Sequence, residues 1–154
     1  MTVAKMRPET LVGYDDDVLL WSQQQARLLR EGRFAELDIE HLADEIEDVG
    51  KSEKRELASC CAVLFAHLLK WRFQPLIRSD SWRATVRVQR ARVALALKET
   101  PSLKAVMRHP NWRRDVWLDA LSQARKDMRA KADLLPDEPP WSIEDALDPD
   151  FWPN

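Results

Sequence analysis

Glycine is nearly missing from this chain, with three residues in 154. That scarcity excludes phosphate-cradling glycine loops and the many tight turns of a multi-stranded β fold. Together with a 45% apolar content it points to helices. Only two cysteines occur, the neighbours Cys60 and Cys61, so the paired Cys and His pattern of a zinc site is absent. Neighbours on a helix point about 100° apart, which makes a bridge between them poor geometry. Buried, reduced thiols in a cytoplasmic protein are the expectation. No apolar run reaches the length of a membrane span, and residues 1–13 lack the hydrophobic block of a signal peptide. There is no nucleophile elbow and no Glu-x-x-His pair of the carboxylate-bridged metal bundles. No cofactor, no metal and no membrane contact are therefore expected.

What the chain does have is helical phase. At 100° per residue, Ile39, Leu42, Ile46, Val49, Leu57, Cys60, Leu64, Leu68 and Trp71 fall on one side of a single helix over residues 38–73. Asp38 is its expected N-cap, and Pro75 lies beyond its end. Gly50 sits in the stripe, where it lowers helix propensity and allows a neighbouring backbone to come close. Before Gly50 the far face is charged; residues 60–66 are apolar all round, so the second half is expected to be surrounded by other helices.

Two polar residues interrupt the stripe. Glu53 lies near its middle and His67 on its edge, and a buried carboxylate requires a cation, water or a shifted pKa. The simpler expectation for Glu53 is an ion pair with an arginine of a packed helix, or a bundle open to water there. The alternative is a metal or proton-transfer groove in which Glu45 and Glu56, at i−8 and i+3, join it. His41 points to another side, and His67 lies about 21 Å along the axis from Glu53. That spacing favours a hydrogen-bonded core histidine at 67 over a ligand.

Further helices are expected over residues 16–31, 81–99, 102–108 and 111–132, with Pro110 as an interruption. The 81–99 segment carries two apolar strips, Trp82, Val86, Val93 and Leu97 on one side and Ala84, Val88, Ala91 and Leu95 on the other. Arg83, Arg87 and Arg90 fill the gap between them, where a guanidinium could meet Glu45, Glu53 or Glu56. In the tail, residues 134–154, Ser142 and Asp145 suggest a capped short helix, with Trp141, Phe151 and Trp152 as anchors on the body.

Charge is divided along the chain. The net value of −2 hides 12 acids against 5 bases in residues 1–50, 7 against 19 in 51–131, and 7 against none in 132–154. A basic middle is compatible with nucleic acid, with Arg113, Arg114, Arg125 and Arg129 as the contacts. Internal neutralisation by the acidic ends is the simpler explanation, because a near-zero total weakens long-range steering of phosphate.

Several separated phrases carry a family resemblance. Leu37-Asp38-Ile39-Glu40-His41-Leu42-Ala43-Asp44-Glu45-Ile46-Glu47-Asp48-Val49-Gly50, His67-Leu68-Leu69-Lys70-Trp71-Arg72-Phe73-Gln74-Pro75 and Ser81-Trp82 resemble the DUF29 family of bacterial proteins. So do Tyr14-Asp15, Leu28-Leu29-Arg30, Pro101-Ser102-Leu103 and residues 148–153. The resemblance implies an all-helical domain and no catalytic residues.

The expectation is thus an all-α, single-domain, up-and-down bundle of four main helices with one short extra helix and a wrapped C-terminal tail. Residues 1–13 are read as an arm, 14–133 as the bundle and 134–154 as the tail. With no complete catalytic constellation, the leading function is a non-enzymatic interaction module that self-associates, as a homodimer, or binds another protein. The alternatives are nucleic-acid binding through the basic 78–131 region, and a metal or acid-base enzyme using Glu45, Glu53, Glu56 and His67 with Arg83, Arg87 or Arg90.

Overall fold

The computed structural model describes residues 9–154, and among them the chain is all-α, without a strand. Six α-helices follow one another: α1 (Val18–Arg30), α2 (Ile39–Phe73), α3 (Asp80–Glu99), α4 (Leu103–Arg108), α5 (Pro110–Met128) and α6 (Ile143–Leu147).

The boundaries follow from local chemistry. Asp17 caps α1 by accepting from the Leu20 amide at 3.0 Å, and Gly32, at φ +73°, takes the left-handed conformation just beyond its end. Asp38 opens α2: its carbonyl accepts from Leu42 N at 3.0 Å and its carboxylate from His41 N at 3.4 Å. Ser79 caps α3, one residue before its start at Asp80, with its hydroxyl accepting from Trp82 N at 3.2 Å. Pro110 does not interrupt a helix; it is the first residue of α5, where its missing N–H costs nothing. The helix expected to reach residue 132 stops at Met128, because Arg129 adopts φ +50° and a 3-10 turn, Arg129–Leu134, follows. At α6, Ser142 and Asp145 form the reciprocal capping box.

Compactness divides the chain at Gly50, inside α2. In the first unit, Trp21 and Leu28 of α1 are buried together with Gln24 and Gln25. The glutamines are satisfied by backbone: Gln24 accepts from Val12 N at 2.8 Å and donates to Thr10 O at 3.1 Å, while Gln25 accepts from Asp38 N at 2.8 Å. They tie the entering chain and the start of α2 to α1. The apolar stripe of α2 departs from expectation here. Ile39, Ile46 and Val49 are 69%, 71% and 65% exposed, and only Leu42 of that set is half-buried. Gly50 meets nothing within 4 Å of where a Cβ would lie, so no close backbone approach explains it.

The second unit holds the larger core. Leu57, Cys61, Leu64 and Leu68 of α2 pack with Val86 and Val93 of α3, Leu103 of α4, and Trp117 and Ala120 of α5. Both cysteines are free and buried, and burial pushes the Cys61 thiol up to about 12. The tail closes this core. Trp141 stacks beside Phe65 at 6.4 Å between centroids, and Trp152 lies against Trp71 at 4.8 Å. Arg90, buried on α3, donates to the carbonyls of Ala146 at 2.8 Å, Pro149 at 3.3 Å and Phe151 at 2.6 Å. Lys70 is buried as well, paired with Asp127 at 2.8 Å and lying over the Trp82 ring at 5.2 Å.

Candidate functional site

The densest polar arrangement of the first unit lies at the start of α2. Asp38 Oδ2 accepts from Trp21 Nε1 at 3.0 Å and pairs with His41 Nδ1 at 2.7 Å. Tyr14 stacks on the His41 ring, 4.4 Å between centroids and 10° from parallel, and donates its hydroxyl to Glu45 Oε1 at 2.5 Å. Trp21 closes the group edge-on to Tyr14 at 4.9 Å. The helix places these side chains: Asp38, His41 and Glu45 fall one turn apart on a single face.

The electrostatics follow from those contacts. The hydrogen bond to Asp38 raises the His41 pKa above its ordinary value. Burial opposes charge on Asp38, but hydrogen bonds from His41 and Trp21 outweigh it and hold the carboxyl below its usual range. The hydrogen bond to Glu45 and that carboxylate's charge raise the Tyr14 phenol. The Asp38–His41 pair has no protein hydroxyl or thiol bonded to it among the described residues. Its physical effect is to pin the chain entering α1 and the α1 side chain Trp21 to the first turns of α2.

Those pinned helices enclose an open groove of about 500 Å³, lined by Val18, Leu19, Trp21, Ser22, Ala26 and Leu29 of α1 with Leu42 and Glu45 of α2. Val18, Leu19 and Leu29 are 54%, 67% and 46% exposed. The surrounding unit is acidic: residues 9–50 hold twelve carboxylates against three arginines. Two of those arginines are already neutralised, Arg27 by Glu9 and Arg33 by Glu31 and Glu36. The groove thus exposes apolar side chains within an excess of negative charge.

The residues singled out in the sequence are differently placed. Glu45 belongs to the Tyr14 contact. Glu53 is exposed rather than buried, and among the described residues no hydrogen bond or ion pair joins it to Arg83, Arg87 or Arg90. With water on the carboxylate, it needs no buried cation. Glu53 and Glu56 line a shallow depression of about 230 Å³ with Cys60 and Arg92, where the Cys60 thiol lies 3.8 Å from Glu56 Oε1. His67 donates from Nδ1 to the Val63 carbonyl at 2.8 Å, and burial lowers its pKa. Arg83 lies over Trp71 at 5.3 Å, Arg87 lines a depression with Leu147 and Pro149, and Arg90 holds the tail. The expected groove of carboxylates, histidine and arginines therefore does not assemble within the second unit. Among the described residues, no three His, Cys, Asp or Glu side chains are grouped to hold a metal ion.

Of the basic row, Arg114, Arg125 and Arg129 are exposed. Arg113 is not free; it donates to the Met107 carbonyl at 2.6 Å and pairs with Glu144. Among the described residues, no helix is long and apolar enough to cross a membrane.

Comparison with known proteins adds one finding. A family model described as Domain of unknown function DUF29 matches residues 13–152. No curated protein and no solved structure matches the chain.

Proposed function

Because the chain belongs to the DUF29 family, whose description assigns no activity, we propose a function from the geometry alone: a non-enzymatic protein-interaction module that receives a basic amphipathic helix in the groove of its first unit. The observation that supports this reading is the exposure of Val18, Leu19 and Leu29 beside Leu42, with the acidic excess around them. A helix presenting apolar residues at i, i+4 and i+7 fits such a groove, and flanking lysines or arginines meet the carboxylates.

The test uses a fluorescent twenty-residue Leu/Lys amphipathic helix titrated into the full chain, wild type and Leu19→Asp. Leu19 is exposed, so the substitution leaves the core untouched while adding negative charge. Groove docking predicts about tenfold weaker binding for L19D, the effect of losing one buried leucine contact. Non-specific attraction between charges predicts equal or tighter binding, and that outcome removes the reading.

A further inference from the structure

The second unit carries a helix face with the chemistry that the groove requires. On α3, Ala84, Val88, Ala91 and Leu95 follow at i, i+4, i+7 and i+11, and all four are exposed. Val88 and Leu95 are 47% and 53% exposed, so about half of each side chain lies outside the chain's own core. Arg83, Arg87 and Arg92, also exposed, flank the strip. Two like surfaces repel in either self-pairing: the first unit is acidic, and the α3 face is basic. Only the crossed pairing joins apolar surface to apolar surface and opposite charge to opposite charge.

We propose that the α3 strip of a second copy of this chain occupies the groove of the first unit. The proposal rests on the interaction reading above and names its partner. Because the contact joins two different surfaces, it uses the groove of one copy and the strip of the other, and the association is heterologous at the contact itself. Val88 and Leu95 enter the space beside Leu19 and Leu29, while Arg83, Arg87 and Arg92 face the carboxylates of the first unit. Screening by salt weakens the arginine–carboxylate part and leaves the apolar part.

Sedimentation velocity of the full chain over a range of concentrations tests this, with two complementary variants. Leu19→Asp spoils the groove, and Val88→Glu with Leu95→Glu spoils the strip; every substituted side chain is exposed, so each variant keeps its core. The wild type is expected to self-associate with concentration, and each variant about tenfold or more weakly. Mixed together, the two variants are expected to form heterodimers, because one supplies an intact strip and the other an intact groove. Variants that associate as well as the wild type, or a mixture that fails to pair, overturn the proposal. A wild type that stays monomeric throughout also overturns it. In that last case, binding of the Leu/Lys helix decides separately whether the interaction reading survives.

Discussion

At the scale of single residues, His41 is the side chain whose contribution depends most directly on pH. Its folded pKa is raised by Asp38, so the stabilisation it gives is fully present below its unfolded value of about 6.5 and is lost as pH rises through the raised value. Asp38 has the opposite sign. Its folded pKa is lowered, so its contribution is present above about 3.9 and is lost as pH falls through the folded value. The pair is therefore fully charged between about pH 4 and 6.5. The difference in melting temperature between wild type and His41→Gln is expected to be greatest in that window and to narrow above neutrality. A difference independent of pH would contradict the pairing. Lys70 is a different kind of case: its ammonium is buried, but Asp127 and the Trp82 ring supply the charge compensation that burial demands.

At the scale of elements, α2 shows what helical periodicity can and cannot reveal. Phase alone located residues 38–73 to within one residue of the observed helix, because Asp38 and Pro75 bracket an unbroken stripe. The same phase placed Ile39, Ile46 and Val49 in a core that the first unit does not build around them. A stripe states which side of a helix seeks apolar company, and it is silent about whether that company comes from the same chain. Glu53 shows the same limit: of the two simpler expectations for it, the arginine pair is absent among the described residues and the helix is open to water there. The candidate site was partly legible. Asp38 and His41 stand at cap and cap+3, a spacing that brings a carboxylate and an imidazole together, whereas the stacking of Tyr14 on His41 joins residues 27 positions apart and left no periodic signal. Arg90 is comparable. The wheel put it in an arginine row, but its three acceptors are backbone carbonyls of the tail, which carry no side-chain signature.

That contact makes a measurable prediction for the tail. Arg90→Ala removes a charged donor from three carbonyls and is expected to lower stability by about 3 kcal/mol, with faster hydrogen exchange over residues 143–153. Arg90→Lys recovers only part of the loss, because a single ammonium cannot span three acceptors as the planar guanidinium does. Urea denaturation with exchange mass spectrometry reads both effects. Unchanged exchange in the tail would show that Trp141 and Trp152 hold it without the arginine.

For the whole molecule, the division of charge along the chain has a structural counterpart. Residues 1–50 carry twelve acids and five bases, while residues 51–131 carry seven acids and nineteen bases, and the compact units divide at Gly50. Internal neutralisation by the acidic ends accounts for part of the basic excess: Arg113 pairs with Glu144 of the tail. Arg83, Arg87 and Arg92 of α3 flank exposed apolar residues, and the acids of the first unit surround an exposed groove. On the proposed reading, association is what brings this separated charge and uncovered apolar surface together.

The most direct measurement is hydrogen exchange on the full chain with and without a saturating Leu/Lys amphipathic helix. The account predicts slower exchange in α1 and in the first turns of α2, residues 18–30 and 39–46, with Leu19→Asp needing about tenfold more peptide for the same slowing. Slowing confined to residues 51–154, or an unchanged peptide requirement in Leu19→Asp, would contradict it.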